Sequence, residues 1–157
     1  MNLFLDVDGV VCPTRERMDS DVEDFVSLPG RPAVIWSPRI VEALSELDCT
    51  ICWLTTWGRE ANDYLAPAFG WDEKIMLPRG NETLWWKLDA LLAYQDPQEP
   101  FVWIDDEISW RLGDSEDEYG LLLSGLSAPR MLVSPWPGQG LTLAQIAQIA
   151  EFVRRAA

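Results

Sequence analysis

The chain has 157 residues, close to the commonest size for one domain, and 48% of them are hydrophobic, too many for a disordered segment. Its 26 acidic and 12 basic residues give a net charge of −14, a field that repels long polyanions and makes extended nucleic acid a poor default partner. No apolar run approaches the roughly 18 residues of a membrane span, and the start of the sequence carries neither a basic region nor a cleavage signal, so a cytoplasmic protein is expected.

Strand and helix patterns alternate along the sequence, as in a parallel sheet covered on both faces. The first predicted strand, Asn2 to Leu5, opens straight into Asp6-Val7-Asp8-Gly9-Val10 and so places two carboxylates at a sharp turn. Val11 to Val34 is polar and acidic, with Pro13, Pro29, Gly30 and Pro32; it reads as a long irregular loop, residues 11–34, that folds over the preceding turn as a flap. A helix opens at Ser37-Pro38, with Ser as cap and Pro at the first helical position, and Ile40, Val41, Leu44 and Leu47 recur at helical spacing.

A strand over Thr50 to Thr55 follows, then a helix from about Arg59 to Ala66, a strand over Lys74 to Leu77 and a helix from Thr83 through Tyr94. Phe101 to Ile104 is a fourth strand, ending in Asp105 and Asp106. Gly113 to Pro129 is irregular and opens with an acidic run, Asp114 to Glu118, read as a solvated loop. A fifth strand over Arg130 to Val133 leads to a last helix, Thr142 to Arg155, whose inward stripe is Leu143, Ile146, Ile149 and Val153. One domain, residues 1–157, is expected. Three cysteines, Cys12, Cys49 and Cys52, are an odd number for a disulfide framework. Cys49-Thr50-Ile51-Cys52 has CxxC spacing, but residues three apart on a strand face opposite ways, and a packing role is expected.

In open parallel sheets, ligands bind beyond the carboxyl ends of the strands. Asp6, Asp8, Thr55, Asp105 and Asp106 all lie at such ends, and Lys87 lies early in the helix after the third strand. These residue types suit phosphoryl transfer, which needs a positioned nucleophile and neutralised charge. Asp6 is the candidate nucleophile and Asp8 the general acid and base. Lys87, Thr55 and Thr56 are candidate phosphate contacts. A hard divalent cation, Mg²⁺, is expected on Asp6, Asp8, Asp105 and Asp106, with Asp8 contributing its backbone carbonyl. Trp57 and Trp136 follow strand ends, where either packs under the loops or stacks on a base or sugar. Arg15, Arg17 and Arg59 are candidates for extra phosphate contacts or ordinary surface ion pairs.

Asp6-Val7-Asp8-Gly9-Val10, the Thr55 that closes Ile51-Cys52-Trp53-Leu54-Thr55, Lys87 of Trp85-Trp86-Lys87, and Phe101-Val102-Trp103-Ile104-Asp105-Asp106 resemble the four ordered motifs of the haloacid dehalogenase (HAD) superfamily. The Leu-Thr-Thr-Trp and Trp-Ile-Asp-Asp contexts are similar to the small phosphatase-like domains of bacterial RNA-repair fusion proteins and their standalone actinobacterial relatives. The resemblance implies a Rossmann-like three-layer α/β sandwich with a parallel five-stranded sheet of order 5-4-1-2-3, Mg²⁺ and a phosphoaspartate intermediate. Retention of Asp8 implies a phosphatase rather than a dehalogenase, and the chain has no room for a large cap. The expected activity is hydrolysis of a phosphomonoester, a small metabolite or nucleotide; the alternatives are a phosphatase of RNA or DNA ends and a catalytically silent binding module.

Overall fold

The computed structural model describes residues 1–14, 24–29, 31–79, 85–113, 123 and 125–156. Arg15, Arg17, Thr83 as a helix start, and the acidic 114–118 run lie outside the described residues. Five strands form a parallel sheet: β1 (Asn2–Leu5), β4 (Thr50–Trp53), β5 (Ile75–Met76), β6 (Phe101–Ile104) and β7 (Arg130–Val133). Their order is β5-β4-β1-β6-β7. The labels depart from 5-4-1-2-3 because two strands outside this sheet, β2 (Asp24–Leu28) and β3 (Arg31–Trp36), enter the count. With those two left aside, the five sheet strands run 5-4-1-2-3 when read from the β7 edge.

Alternation along the strands sorts the core into two layers. Leu3 and Leu5, Ile51 and Trp53, and Val102 and Ile104 fall on one face, in a cluster with Ile40, Val41 and Leu44 of α1 (Pro38–Ser45) and Ile146, Ile149 and Val153 of α5 (Leu143–Ala156). Phe4, Cys52, Phe101 and Trp103 fall on the other, against Leu88 and Leu91 of α3 (Trp86–Tyr94) and Ile108 of α4 (Ile108–Gly113). Cys52 is buried here, Cys49 is half-buried, and both are free thiols, as a packing role requires. Of the predicted stripe on the last helix, Leu143 is exposed and the other three residues are buried. That helix is capped reciprocally: Gln145 N–H donates to Thr142 Oγ1 at 3.2 Å, and Thr142 N–H donates to Gln145 Oε1 at 3.0 Å. Ser37 precedes α1 as expected, but its side chain makes no cap bond.

Two expectations are corrected. The irregular loop over residues 11–34 contains an antiparallel hairpin, β2 paired with β3, which runs on to Trp36. Its Val26 and Leu28 are buried in the α1 and α5 layer, and Trp36 packs on Phe69 with ring centroids 4.7 Å apart. The described part of this segment is therefore docked into the core. The helix predicted from Arg59 to Ala66 is a π-helical turn, Ala61–Leu65, that runs into α2 (Ala66–Ala68). Pro67 has no N–H to continue an α ladder, and the turn ahead of it is wide, with Ala66 N–H bonded to Ala61 O. Among the described residues, no helix is long and apolar enough to cross a membrane.

Candidate active site

Sheet register places the acids. Leu5 pairs with Ile104, and the ladder continues one step further, Asp6 N–H donating to Ile104 O at 3.1 Å. Asp105 N–H likewise donates to Val133 O at 3.1 Å. Asp6 and Asp105 thus leave neighbouring strands at the same level, both buried. Lys87, in the first turn of α3, reaches between them and donates to Asp6 Oδ2 at 2.6 Å and to Asp105 Oδ2 at 2.7 Å. Their other oxygens are held by backbone amides, Asp6 Oδ1 by Val7 N–H at 2.7 Å and Asp105 Oδ1 by Glu107 N–H at 2.9 Å.

Asp106 completes a group of three carboxylates, with Asp6 and Asp105, whose oxygens lie within 4.8 Å of one another. When all are ionised, one ammonium against three carboxylates leaves two uncompensated negative charges. The titration behaviour follows from this crowding. Burial, then the charge of Asp6, push Asp105 above the usual carboxylate range, against the pull of Lys87. The same two causes push Asp106 up to about 6. Burial acts to lower Lys87, and Asp6 and Asp105 reverse it, so its net shift is upward. An all-oxygen donor set with an unbalanced charge of this size fits a hard divalent cation such as Mg²⁺.

Gly9 makes the turn possible. Its φ of +69° is one that side-chain-bearing residues rarely adopt, and a Cβ there would stand 2.6 Å from Asp106 Oδ2. Around it the chain folds tightly, with Gly9 N–H donating to Cys12 O at 2.8 Å and Cys12 N–H to Val7 O at 3.0 Å. Asp8, exposed and not one of the three grouped carboxylates, accepts a hydrogen bond from Trp57 Nε1 at 2.9 Å. Trp57 is therefore buried as a partner of Asp8 rather than open for stacking, a link that its position beyond β4 hinted at without naming its contact.

A cleft of about 450 Å³ opens over these groups; its walls include Asp6, Asp8, Thr56, Lys87 and Asp106. Thr56 lines it, whereas Thr55 is buried and its hydroxyl oxygen accepts Trp57 N–H at 3.4 Å. Arg59 forms a surface ion pair with Asp63 at 3.3 Å and is not among the cleft residues. Trp136 is 63% exposed, folded against Gly138, and also lies outside the cleft wall. The cations that do line it besides Lys87 are Arg79 and Arg111. Sequence reasoning passed over both: Arg79 lies in the loop beyond β5, and Arg111 lies inside α4 rather than at a strand end.

A profile of the family described as "HAD domain in Swiss Army Knife RNA repair proteins" matches residues 2–146. A search of curated proteins and a search of solved structures found no match. The matched span runs from β1 into α5 and takes in every side chain of the acid and lysine cluster, and on that evidence the chain belongs to this family of HAD domains.

Proposed function

We propose that the protein is a Mg²⁺-dependent phosphatase that hydrolyses a phosphomonoester through an aspartyl-phosphate on Asp6. The convergence of Asp6 after β1, Asp105 and Asp106 after β6, and Lys87 from α3 carries this reading. Asp6, Asp105 and Asp106, with the backbone carbonyl of Asp8, would hold the ion, which when bound neutralises phosphoryl oxygens.

A carboxylate oxygen of Asp6 attacks phosphorus, and the bond from phosphorus to the leaving oxygen breaks. Asp8 gives its proton to that oxygen. Trp57 donates to Asp8 Oδ2 and so orients the carboxyl group for this transfer. Asp8, now a carboxylate, takes a proton from water as the water attacks the aspartyl-phosphate; inorganic phosphate leaves and Asp6 is restored. Lys87 screens the approach of an anionic ester to the buried acids, and Thr56 offers a neutral donor at the cleft wall.

The test is hydrolysis of an aryl phosphate with Mg²⁺, with chelator, and by Asp6→Asn. Turnover that needs both the ion and Asp6 is expected. Its absence across a broad phosphate panel would favour a silent binding module. The substrate is expected to be a small phosphorylated metabolite or nucleotide in the cytoplasm. A terminal phosphate of RNA or DNA is the second reading, favoured by the family's description and by the two arginines of the cleft. Comparing a mononucleotide with a short oligonucleotide across salt concentrations separates the two, because only the oligonucleotide gives a steep salt slope.

A further inference from the structure

The segment that follows β7 touches both halves of the candidate site. Backbone pairing of β6 with β7 ends where Asp105 N–H donates to Val133 O, and Pro135 has no N–H with which to extend the ladder. Between Val133 and Pro135 stands Ser134, half-buried, and its hydroxyl takes over the link between the strand ends. Ser134 Oγ donates to Asp106 O at 2.9 Å and accepts Ser109 N–H at 3.1 Å. A carbonyl can only accept and an amide N–H can only donate, so these partners fix the direction of the hydroxyl and use it as donor and acceptor at once.

Both partners belong to the stretch that presents Asp106. The accepting carbonyl is part of that residue's own main chain, and Ser109 N–H is one of the amides left open by the first turn of α4. Asp105, one residue earlier, is already held by Lys87, by Glu107 N–H and through its own N–H by Val133 O. Ser134 closes the stretch from the far side, so Asp106 is held both before and after. In front of it stands Gly9: a Cβ added there would meet Asp106 Oδ2 at 2.6 Å and Pro137 Cβ at 2.9 Å. Pro137 O accepts Thr14 N–H at 2.8 Å, and Leu141 N–H donates to Val10 O at 2.8 Å. Residues 134–141 are thereby anchored at one end by the sheet and at the other by the turn that carries Asp6 and Asp8.

Resting on the ion-binding part of the reading above, we infer that Ser134 is a positioning residue for the divalent ion. Its hydroxyl holds the Asp106 main chain where the carboxylate joins those of Asp6 and Asp105, the three offering oxygens within 4.8 Å of one another. Ser134 is not among the residues that line the cleft, so it acts through Asp106. Without it the carboxylate must be ordered as the ion binds, and that ordering is subtracted from the binding free energy.

Calorimetric titration of Mg²⁺ into the full chain tests this without any substrate. Ser134→Ala is expected to bind the ion about tenfold more weakly, the lower end of what removing an outer partner of a metal ligand costs. Ser134→Thr keeps the hydroxyl and should bind as wild type does, whereas Ser134→Val, with a methyl group in the hydroxyl's place, should match the alanine variant. Asn2→Ala removes a hydrogen bond to Gln95 Oε1 at the opposite end of β1 and reports general loosening: its melting temperature should fall while its Mg²⁺ affinity stays unchanged. In the aryl phosphate assay, Ser134→Ala should need more Mg²⁺ to reach half its maximal rate, and excess Mg²⁺ should restore kcat.

Wild-type affinity in Ser134→Ala, or equal losses in the threonine and valine variants, would overturn the inference and leave the metal reading standing. So would a loss in Asn2→Ala as large as that in Ser134→Ala. If the wild type binds no Mg²⁺, or if Asp106→Asn binds it as tightly as the wild type does, the metal assignment itself has failed, and with it the role given to Ser134. A protein that binds the ion and hydrolyses nothing refutes only the phosphatase reading, because the titrations still decide between the two outcomes for Ser134. Should the alanine variant fail to fold, the threonine and valine pair gives the answer.

Discussion

Replacing Lys87 by methionine keeps the side chain's length and removes its charge from the middle of the carboxylates. Lys87 makes two short charge-assisted hydrogen bonds, at 2.6 and 2.7 Å, and is 3% exposed. Removing one member of a buried ionic cluster leaves its partners desolvated and uncompensated, which costs about 3–5 kcal/mol. In a domain of this size each kcal/mol moves the melting temperature by about 2–4 °C, so the metal-free variant should melt about 6–20 °C lower. The loss must depend on pH with a fixed sign. Asp105 and Asp106 already titrate above their unfolded values, and taking away Lys87 raises them further. Between the unfolded value, about 3.9, and the folded one, the native state binds more protons than the unfolded state, so stability falls as pH rises through that window. Thermal unfolding followed by circular dichroism in chelator should therefore show a larger gap between Lys87→Met and wild type at pH 7.5 than at pH 5. A drop below about 2 °C at pH 7.5, or the same drop at both pH values, would refute the reasoning.

The metal-free wild type should itself lose stability from pH 4.5 to pH 7, because Asp106 has a folded pKa of about 6, and saturating Mg²⁺ should remove that slope; the melting temperature with and without the ion measures it. Competition by the same protons should make Mg²⁺ bind more weakly at pH 5.5 than at 7.5 in a calorimetric titration. Trp57→Phe keeps the buried ring but removes the donor to Asp8 Oδ2, so kcat should fall by about five- to tenfold, the worth of one hydrogen bond, while KM stays within twofold. Gly9→Ala forces a Cβ against Asp106 Oδ2 at a φ of +69°, and Mg²⁺ affinity should fall by about tenfold or more; an unchanged titration would mean that the carboxylate is not held where the turn puts it.

The sheet was readable because its strands centre on short apolar runs, and those of β1 and β6 are followed at once by an acid. Leu3-Phe4-Leu5 before Asp6, and Val102-Trp103-Ile104 before Asp105, need only alternation and burial to be assigned. The hairpin was hidden by its prolines. Pro29, Gly30 and Pro32 read as breakers, yet Leu28 and Arg31 pair, and Pro32 is tolerated within β3 of a two-stranded ribbon. The period-two burial of Val26 and Leu28 was the available clue. At the site, the acids and Lys87 were legible because strand order brings their ends together. The contacts of Trp57, Arg79 and Arg111 were not, since each depends on the side chain met across a loop. Arg59, the cation nearest to Thr55 in sequence, turns instead to Asp63, four residues along.

The gap between Asp6 and Asp105 is set by backbone pairing of β1 with β6, in which Leu5 faces Ile104, and by no loop at all. Loop exchange beyond those strands should therefore leave the two acids at their original distance, which makes this frame a suitable acceptor for grafted recognition segments. Deleting a single residue inside β6 would do the opposite. The strand would re-pair one step along, every side chain in it would change sides, and a carboxylate would be driven into the oily layer beneath α1 and α5.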